Sequence, residues 1–336
     1  MLDVWVDSRL SVEPACRIAR RAESPGRMDT MMHSSLFKLA LVLLAAFSYS
    51  SVDARGRALP TGKFCSSSTG IPGSSLPKNT CFRFDVAYGS DPKQKLDVYT
   101  RNPEGQGAPV IVMVHGGGWY QGDKMDTPVV RNKVQYWVPT GAIFVSVNYP
   151  LVPQANPLQQ AQSVAMALGY VQRHATEWGG NPDKVILMGF SAGGHLVSLL
   201  AADPSIATTF GARPWLGTIA LDSAIYDVPA VMNNPYHQTL YDNAFGTNPV
   251  LWSAASPITQ LDARIAPFMA VCTTQESASC PRAQQFVDKA ASYGSQASVL
   301  PQNLNHGQIN EKLGLVSAYT TQVSAFMSAL FNGTVR

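Results

Sequence analysis

The sequence predicts an α/β fold: a mostly parallel, doubly wound sheet of eight strands with helices on both faces and a small cap insertion. Three observations carry that prediction. Residues 110–114, 143–147 and 185–188 are unbroken apolar runs, the mark of strands buried on both faces. Segments with helix-period apolar residues alternate with such runs, which is how parallel strands are connected. At residues 184–200 the sequence KVILMGFSAGGHLVSLL joins a buried strand to an apolar helix through Gly189-Phe190-Ser191-Ala192-Gly193.

The chain opens on segments of another character. Residues 1–27 have no sustained period and no apolar core, and read as an upstream extension rather than folded structure. Residues 28–54 have the form of a secretory signal peptide. Lys38 supplies the positive n-region, residues 39–47 the apolar h-region and Val52-Asp53-Ala54 a small-residue cleavage site. That apolar run is too short to span a bilayer. Cys65 follows Gly62-Lys63-Phe64, which is not the small, apolar lead-in of a lipoprotein. The expectation is a periplasmic or secreted protein without stable membrane insertion, cut near Ala54. Residues 55–81 then form a lead-in and residues 82–336 a single domain.

Residues 1–54 hold six basic and six acidic side chains, so the remainder keeps the whole chain's formal net charge of +3. With charged residues at only 14%, that balance excludes the electrostatic footprint of a nucleic-acid binder. Cys16 falls in the upstream extension. The other cysteines form two sequence-local pairs, Cys65 with Cys81 and Cys272 with Cys280, and in an exported chain two disulfides are expected. Free buried thiols are the alternative, and no C-x-x-C spacing suggests a metal site.

From residue 82 the elements follow in order. Residues 82–88 and 95–100 alternate enough to be antiparallel strands at a sheet edge. After the strands at 110–114 and 143–147, residues 159–178 read as a helix through Val164, Leu168 and Val171, stopped by Gly179-Gly180. Beyond the strand at 185–188 come strands at 218–221, 267–273 and 297–300 and helices at 281–292 and 314–331. In such a sheet the site lies at the carboxyl ends of the strands.

Two of those strand ends carry chemistry. Gly189-Phe190-Ser191-Ala192-Gly193 is G-x-S-x-G between strand and helix, the context in which the serine is held at the apex of a tight turn with Oγ exposed above a helix N-terminus. A glycine-rich connection without chemistry is the bland alternative. The strand at 110–114 runs into His115-Gly116-Gly117-Gly118-Trp119, where successive glycines let backbone N–H groups turn toward a ligand. The expected oxyanion donors are the N–H groups of Gly117, Gly118 and Ala192.

A serine hydroxyl needs a base to take its proton. His33 falls in the signal segment, His115 belongs to the glycine loop and His174 to the preceding helix. His195 lies four residues past Ser191 on the same helix and points along it, and His237 sits in an aromatic-rich insertion. His306, in the loop after the last strand, is where the chain order serine, acid, histidine puts the base. The acid is expected after the strand at 267–273, where Glu276 is the loop's carboxylate and the Cys272–Cys280 loop would position it. An exposed, uninvolved Glu276 is the alternative, and Asp222, ending the strand at 218–221, is then the next candidate.

HGGGWYQGDK (115–124), NYPLVP (148–153), NPDKVILMGFSAGGHLVSLLA (181–201), ASPITQL (255–261) and NHGQINEKLG (305–314) resemble α/β-hydrolase esterases of the hormone-sensitive-lipase-like and feruloyl-esterase-like (BD-FAE-like) group. The resemblance spans roughly residues 82–330. It implies a serine carboxylesterase acting through an acyl-enzyme on a small-molecule ester of short chain. Two positions depart from the pattern: TQESASC stands where such enzymes commonly carry a catalytic aspartate, and Gln162 where many have an acid before the elbow. No metal or organic cofactor is called for, since nucleophile, base and oxyanion donors all come from the chain. Trp119, Tyr120 and Tyr149, with Tyr236 and Tyr241 of the insertion, are expected to line the substrate pocket. Hydrolysis of amides or formamides by the same groups is the enzymatic alternative, and a non-catalytic binding module that lost its acid is the alternative from another class.

Overall fold

The structure, a computed structural model, describes residues 76–77, 79–101 and 105–334. The expected signal segment, upstream extension and Cys65 lie outside the described residues. Eight strands form one sheet: β1 (Thr80–Ala87), β2 (Lys95–Arg101), β3 (Ala108–Val114), β4 (Ile143–Val147), β5 (Gly180–Phe190), β6 (Gly217–Leu221), β7 (Phe268–Thr273) and β8 (Ala297–Gln302). Their order is β1-β2-β4-β3-β5-β6-β7-β8. β1 pairs antiparallel with β2 and β2 with β4, while every pairing from β4 to β8 is parallel. The chain steps outward from β3 to β4, then crosses back over β3 to β5. That reversal opens a crevice above the carboxyl ends of β3 and β5, where a doubly wound sheet binds its ligand.

The apolar runs are buried because both faces of the sheet are covered. Alternate residues Val110, Val112, Val114, Val185 and Leu187 pack under helices α2 (Pro157–His174) and α3 (Ala192–Ala202). Their neighbours Ile111, Met113, Ile186 and Met188 face helix α1 (Thr127–Trp137) and the C-terminal helix Ala318–Phe331. A third apolar cluster forms where Phe268, Ala270 and Cys272 of β7 meet Ala283, Phe286 and Ala290 of the helix Ser279–Ser292. Between β6 and β7 four short helices, Val228–Met232, Thr239–Phe245, Pro249–Ala254 and Pro257–Gln260, make the small cap. Helix α1 is not among the expected elements, although Pro128 at its start and Val130, Val134 and Trp137 on one face are its signals. Cys272 and Cys280 are disulfide-bonded, as expected. Among the described residues no helix is long and apolar enough to cross a membrane.

Two buried polar side chains tie these layers together near the crevice. Lys133 of α1 is completely buried, and its Nζ donates to Pro128 O (2.9 Å), Asn310 O (2.7 Å) and Asn310 Oδ1 (2.8 Å). Burial pulls its pKa down to about 7, against three acceptors that only the ammonium form can satisfy together. Through Asn310, Lys133 fastens the sheet-packed α1 to the short helix His306–Glu311. His195 of α3 is equally buried: its Nδ1 accepts from Trp119 Nε1 (3.2 Å) and its Nε2–H donates to Ala255 O (2.7 Å). It is therefore the neutral Nε2–H tautomer, and burial lowers its pKa to about 4. It is a packed helix histidine that holds Trp119 and the segment at Ala255 against α3.

Lys133→Met leaves three buried acceptors without their donor and is expected to cost about 3 kcal/mol in urea unfolding; a loss below about 0.5 kcal/mol would show that the helices hold each other without it. For His195 the sign runs toward acid instability. Its pKa is depressed in the folded chain, so the unfolded chain binds the extra proton first, and stability falls as the pH drops from about 6.5 to about 4, by up to about 3 kcal/mol. Comparing Tm with pH for wild type and His195→Asn tests this, because the variant should lack that part of the slope even if it is less stable at neutral pH.

Candidate active site

β5 ends in a turn that leaves Ser191 at φ 53°, ψ −116°, a conformation costly for any residue with a side chain. The glycines around it are there for space. A Cβ on Gly189 would strike the backbone of Gly193, and one on Gly193 would strike the carbonyls of Val114 and His115 at the end of β3. The turn is held by backbone bonds on both sides: Ser191 N–H donates to Leu221 O of β6 (3.0 Å), and Ser191 O accepts from His195 N–H (2.9 Å) and Ala224 N–H (3.1 Å). What remains free to project over the crevice is the hydroxyl.

Two further strand ends meet it. His306 Nε2 lies 2.9 Å from Ser191 Oγ and accepts a hydrogen bond from it, while His306 Nδ1–H donates to Asp222 Oδ2 at 2.6 Å. His306 is the first residue of its helix, capped by Asn305, whose side chain accepts from Gln308 N–H while Gln308 Oε1 accepts from Asn305 N–H. His306 thus opens a short helix instead of lying in the expected loop, and an Asn three residues before a Gln is the signal for this reciprocal cap. The ring of Phe190 packs against the imidazole, centroid to centroid 4.8 Å.

The acid corrects the sequence reading. Glu276 is exposed on the loop after β7 and lines the rim of the cavity, whereas the carboxylate against His306 belongs to Asp222, the residue after β6 and only 3% exposed. The physical reason is local. The short loop between β7 and the helix Ser279–Ser292 is clipped back by the Cys272–Cys280 disulfide and presents Thr273 N–H and Ser279 Oγ–H to Asp222, while its Glu276 stays exposed. Asp222 has φ 46°, and its N–H binds Val271 O (2.8 Å), which holds its side chain toward the histidine.

Gly117 and Gly118 both have positive φ, 112° and 60°, and line the same cavity as Ser191. A Cβ on Gly116 would lie 2.9 Å from Phe190 O and 3.0 Å from Ser191 Cβ, so the glycine loop rests directly on the serine turn. Ala192 opens α3, and its N–H has no partner within the helix. Two expected lining residues are elsewhere: Trp119 and Tyr149 are completely buried. Trp119 is bonded to His195 and packed on Phe245, and Tyr149 stacks on His115 and donates to His115 O at 2.9 Å. They are the footings of the loop, not its surface. Tyr120, 52% exposed, and Tyr241 do line the cavity, while Tyr236 lies on an adjoining one. The loop's far end is anchored by Lys124, whose Nζ pairs with Asp97 (2.9 Å) and Asp85 (3.0 Å). Burial opposes the charge of Lys124, but the two carboxylates outweigh it and leave its pKa above the ordinary value.

The cavity over these groups measures about 490 Å³, and Gln121, Gln238, Tyr241, Glu276, Ser279 and Arg282 give it a largely polar wall. A hydroxyl bonded to an imidazole, an imidazole bonded to a buried carboxylate, and backbone donors beside the hydroxyl together suit nucleophilic attack on a carbonyl.

Residues 96–213 match the BD-FAE family. The chain is 29% identical over 221 residues to the esterase LipQ of Mycobacterium tuberculosis, covering 62% of this chain and 52% of that protein. It is 34% identical over 125 residues to a probable carboxylic ester hydrolase, LipM, of the same organism, covering 36% of this chain and 28% of LipM. The chain thus spans about half the length of LipQ and less of LipM. Among solved structures it resembles esterase B from Lactobacillus rhamnosis, with a TM-score of 0.62 at 20% identity over 78% of this chain and 89% of that one. With eight strands in this order and a serine on the turn after β5, the chain has the α/β-hydrolase fold, and its residues 96–213 are similar to the BD-FAE family.

Proposed function

We propose that the protein is a serine carboxylesterase that hydrolyses short-chain esters through an acyl-enzyme. The observation that carries this reading is the continuous chain Ser191 Oγ–H···Nε2 His306 Nδ1–H···Oδ2 Asp222 at 2.9 and 2.6 Å. Ser191 Oγ attacks the ester carbonyl carbon as His306 Nε2 takes its proton, and Asp222 holds the ring in the Nδ1–H tautomer and stabilises the imidazolium. The negative oxygen of the tetrahedral species faces the N–H groups of Gly117, Gly118 and Ala192. When the C–O bond breaks, His306 returns the proton to the departing alcohol. Water then repeats the sequence on the acyl-serine and frees the acid. The cavity's modest volume and polar wall favour small acyl groups and polar alcohols over long chains. Export to an oxidising compartment is supported by the Cys272–Cys280 disulfide.

A fluorophosphonate probe read by intact mass should add once, at Ser191, and fail to add to Ser191→Ala. Against p-nitrophenyl esters, acetate to butyrate should be turned over fastest; preference for palmitate would overturn the short-chain reading. Asp222→Asn should lower kcat by up to about 10⁴-fold with KM little changed, because it favours the wrong tautomer and withdraws the charge. Glu276→Gln should stay within about threefold of wild type, since nothing fixes it to His306. Full activity in Asp222→Asn would remove Asp222 from the site.

A further inference from the structure

Asp222 is held by the loop that lacks the acid. Thr273 N–H donates to Asp222 Oδ1 at 3.1 Å, and Ser279 Oγ–H donates to the same oxygen. Oδ2 is left for His306. An aspartate's terminal torsion is soft and nearly two-fold, so a carboxylate held at one oxygen alone can swing its plane away from the imidazole. Two donors converging on Oδ1 remove that freedom. They also stand at special places: Thr273 follows Cys272 and Ser279 precedes Cys280, so the disulfide, with a Cα–Cα distance of 5.1 Å, joins the two ends of the loop beside both donors. Thr273 extends the grip to the histidine, its Oγ1 donating to Leu304 O at 2.5 Å, two residues before His306.

We propose that residues 272–280 are a disulfide-closed clamp on the triad acid, with Ser279 as a positioning residue that sets the plane of the Asp222 carboxylate through Oδ1. The loop that the sequence reading expected to carry the acid instead orients one borne by the neighbouring strand. Ser279 needs no contact with substrate for this role, although it borders the cavity. The proposal rests on the serine-esterase reading for its kinetic test, but not for its spectroscopic one.

The experiment is a mutant cycle on the full chain with p-nitrophenyl butyrate. Ser279→Ala removes a hydrogen bond to a charged group and should lower kcat about 10- to 100-fold with KM within about twofold. Ser279→Thr keeps the hydroxyl and should recover most of the loss. In an Asp222→Ala background, Ser279→Ala should do nothing further, because its effect runs only through that carboxylate. The double variant Cys272→Ala/Cys280→Ala should reproduce the kcat loss, again only where Asp222 is present, with thermal melting to show that it folds. Independently of any turnover, the low-field proton resonance of His306 Nδ1–H in its bond to Asp222 should shift or broaden in Ser279→Ala. The clamp is overturned if Ser279→Ala matches wild type in kcat and in that resonance, if its loss is as large without Asp222, or if it raises KM alone, which would make Ser279 a substrate contact. Failure of wild type to turn over any ester or to react with a fluorophosphonate sinks the esterase reading, and the resonance then decides the clamp by itself.

Discussion

The conformation of Ser191 is the constraint on which the surrounding structure depends. A side-chain-bearing residue at φ 53° costs on the order of 1–3 kcal/mol and persists only where the neighbours leave no other course. Here β5 enters from one side, α3 leaves on the other, the end of β3 lies against Gly193, and Leu221 of β6 takes the serine's N–H. Three strands therefore have to be in register before the turn can form. Their parallel pairing runs without shift from Val110 to Val114 along β3 and from Ile186 to Phe190 along β5. Relief of the strain would mean moving the end of a buried strand, which the packing on both faces forbids.

That rigidity explains why the histidine and acid can sit on less regular elements. The short helix that starts at His306 has little of its own to stabilise it, and it borrows order from a reciprocal cap at Asn305 and from Lys133 through Asn310. Asp222 borrows order from β7 and the disulfide loop. In both cases the group proposed to do chemistry is oriented by a polar contact from a different element, so its position does not depend on its own short segment alone.

The sheet was readable because its signal is local. The apolar runs at 143–147 and 185–188 fall within β4 and β5, and the helix expected over 159–178 is α2 with the short 3₁₀ turn Ala175–Trp178 that follows it. Ser191 and His306 were readable because strand–turn–helix context and chain order confine them. Asp222 was not favoured because the choice between two strand ends depends on which side chain points at the imidazole, a matter of backbone dihedral and of what the next loop does. No periodicity encodes that. Trp119 and Tyr149 failed for a related reason: an aromatic beside a glycine loop can as well support the loop from below as line it. Only the positive φ of Trp119 and its bond to His195 decide between the two.

The same distinction separates the two kinds of buried polar group around the site. His195 is neutral and Lys133 is enclosed among uncharged acceptors, and both fix the packing of the elements around the crevice. Lys124 sits among carboxylates, and its charge is spent within the pair it forms with Asp97 and Asp85. Asp222 alone has its carboxylate directed at the reacting imidazole, and each of its oxygens meets donors. A carboxylate bonded at both oxygens is fixed in place, and a negative group at that point is what a histidine gaining a proton requires. The other polar groups thus brace the site from a distance whereas Asp222 faces the imidazole directly, and the clamp on Oδ1 is what keeps that side chain facing one way.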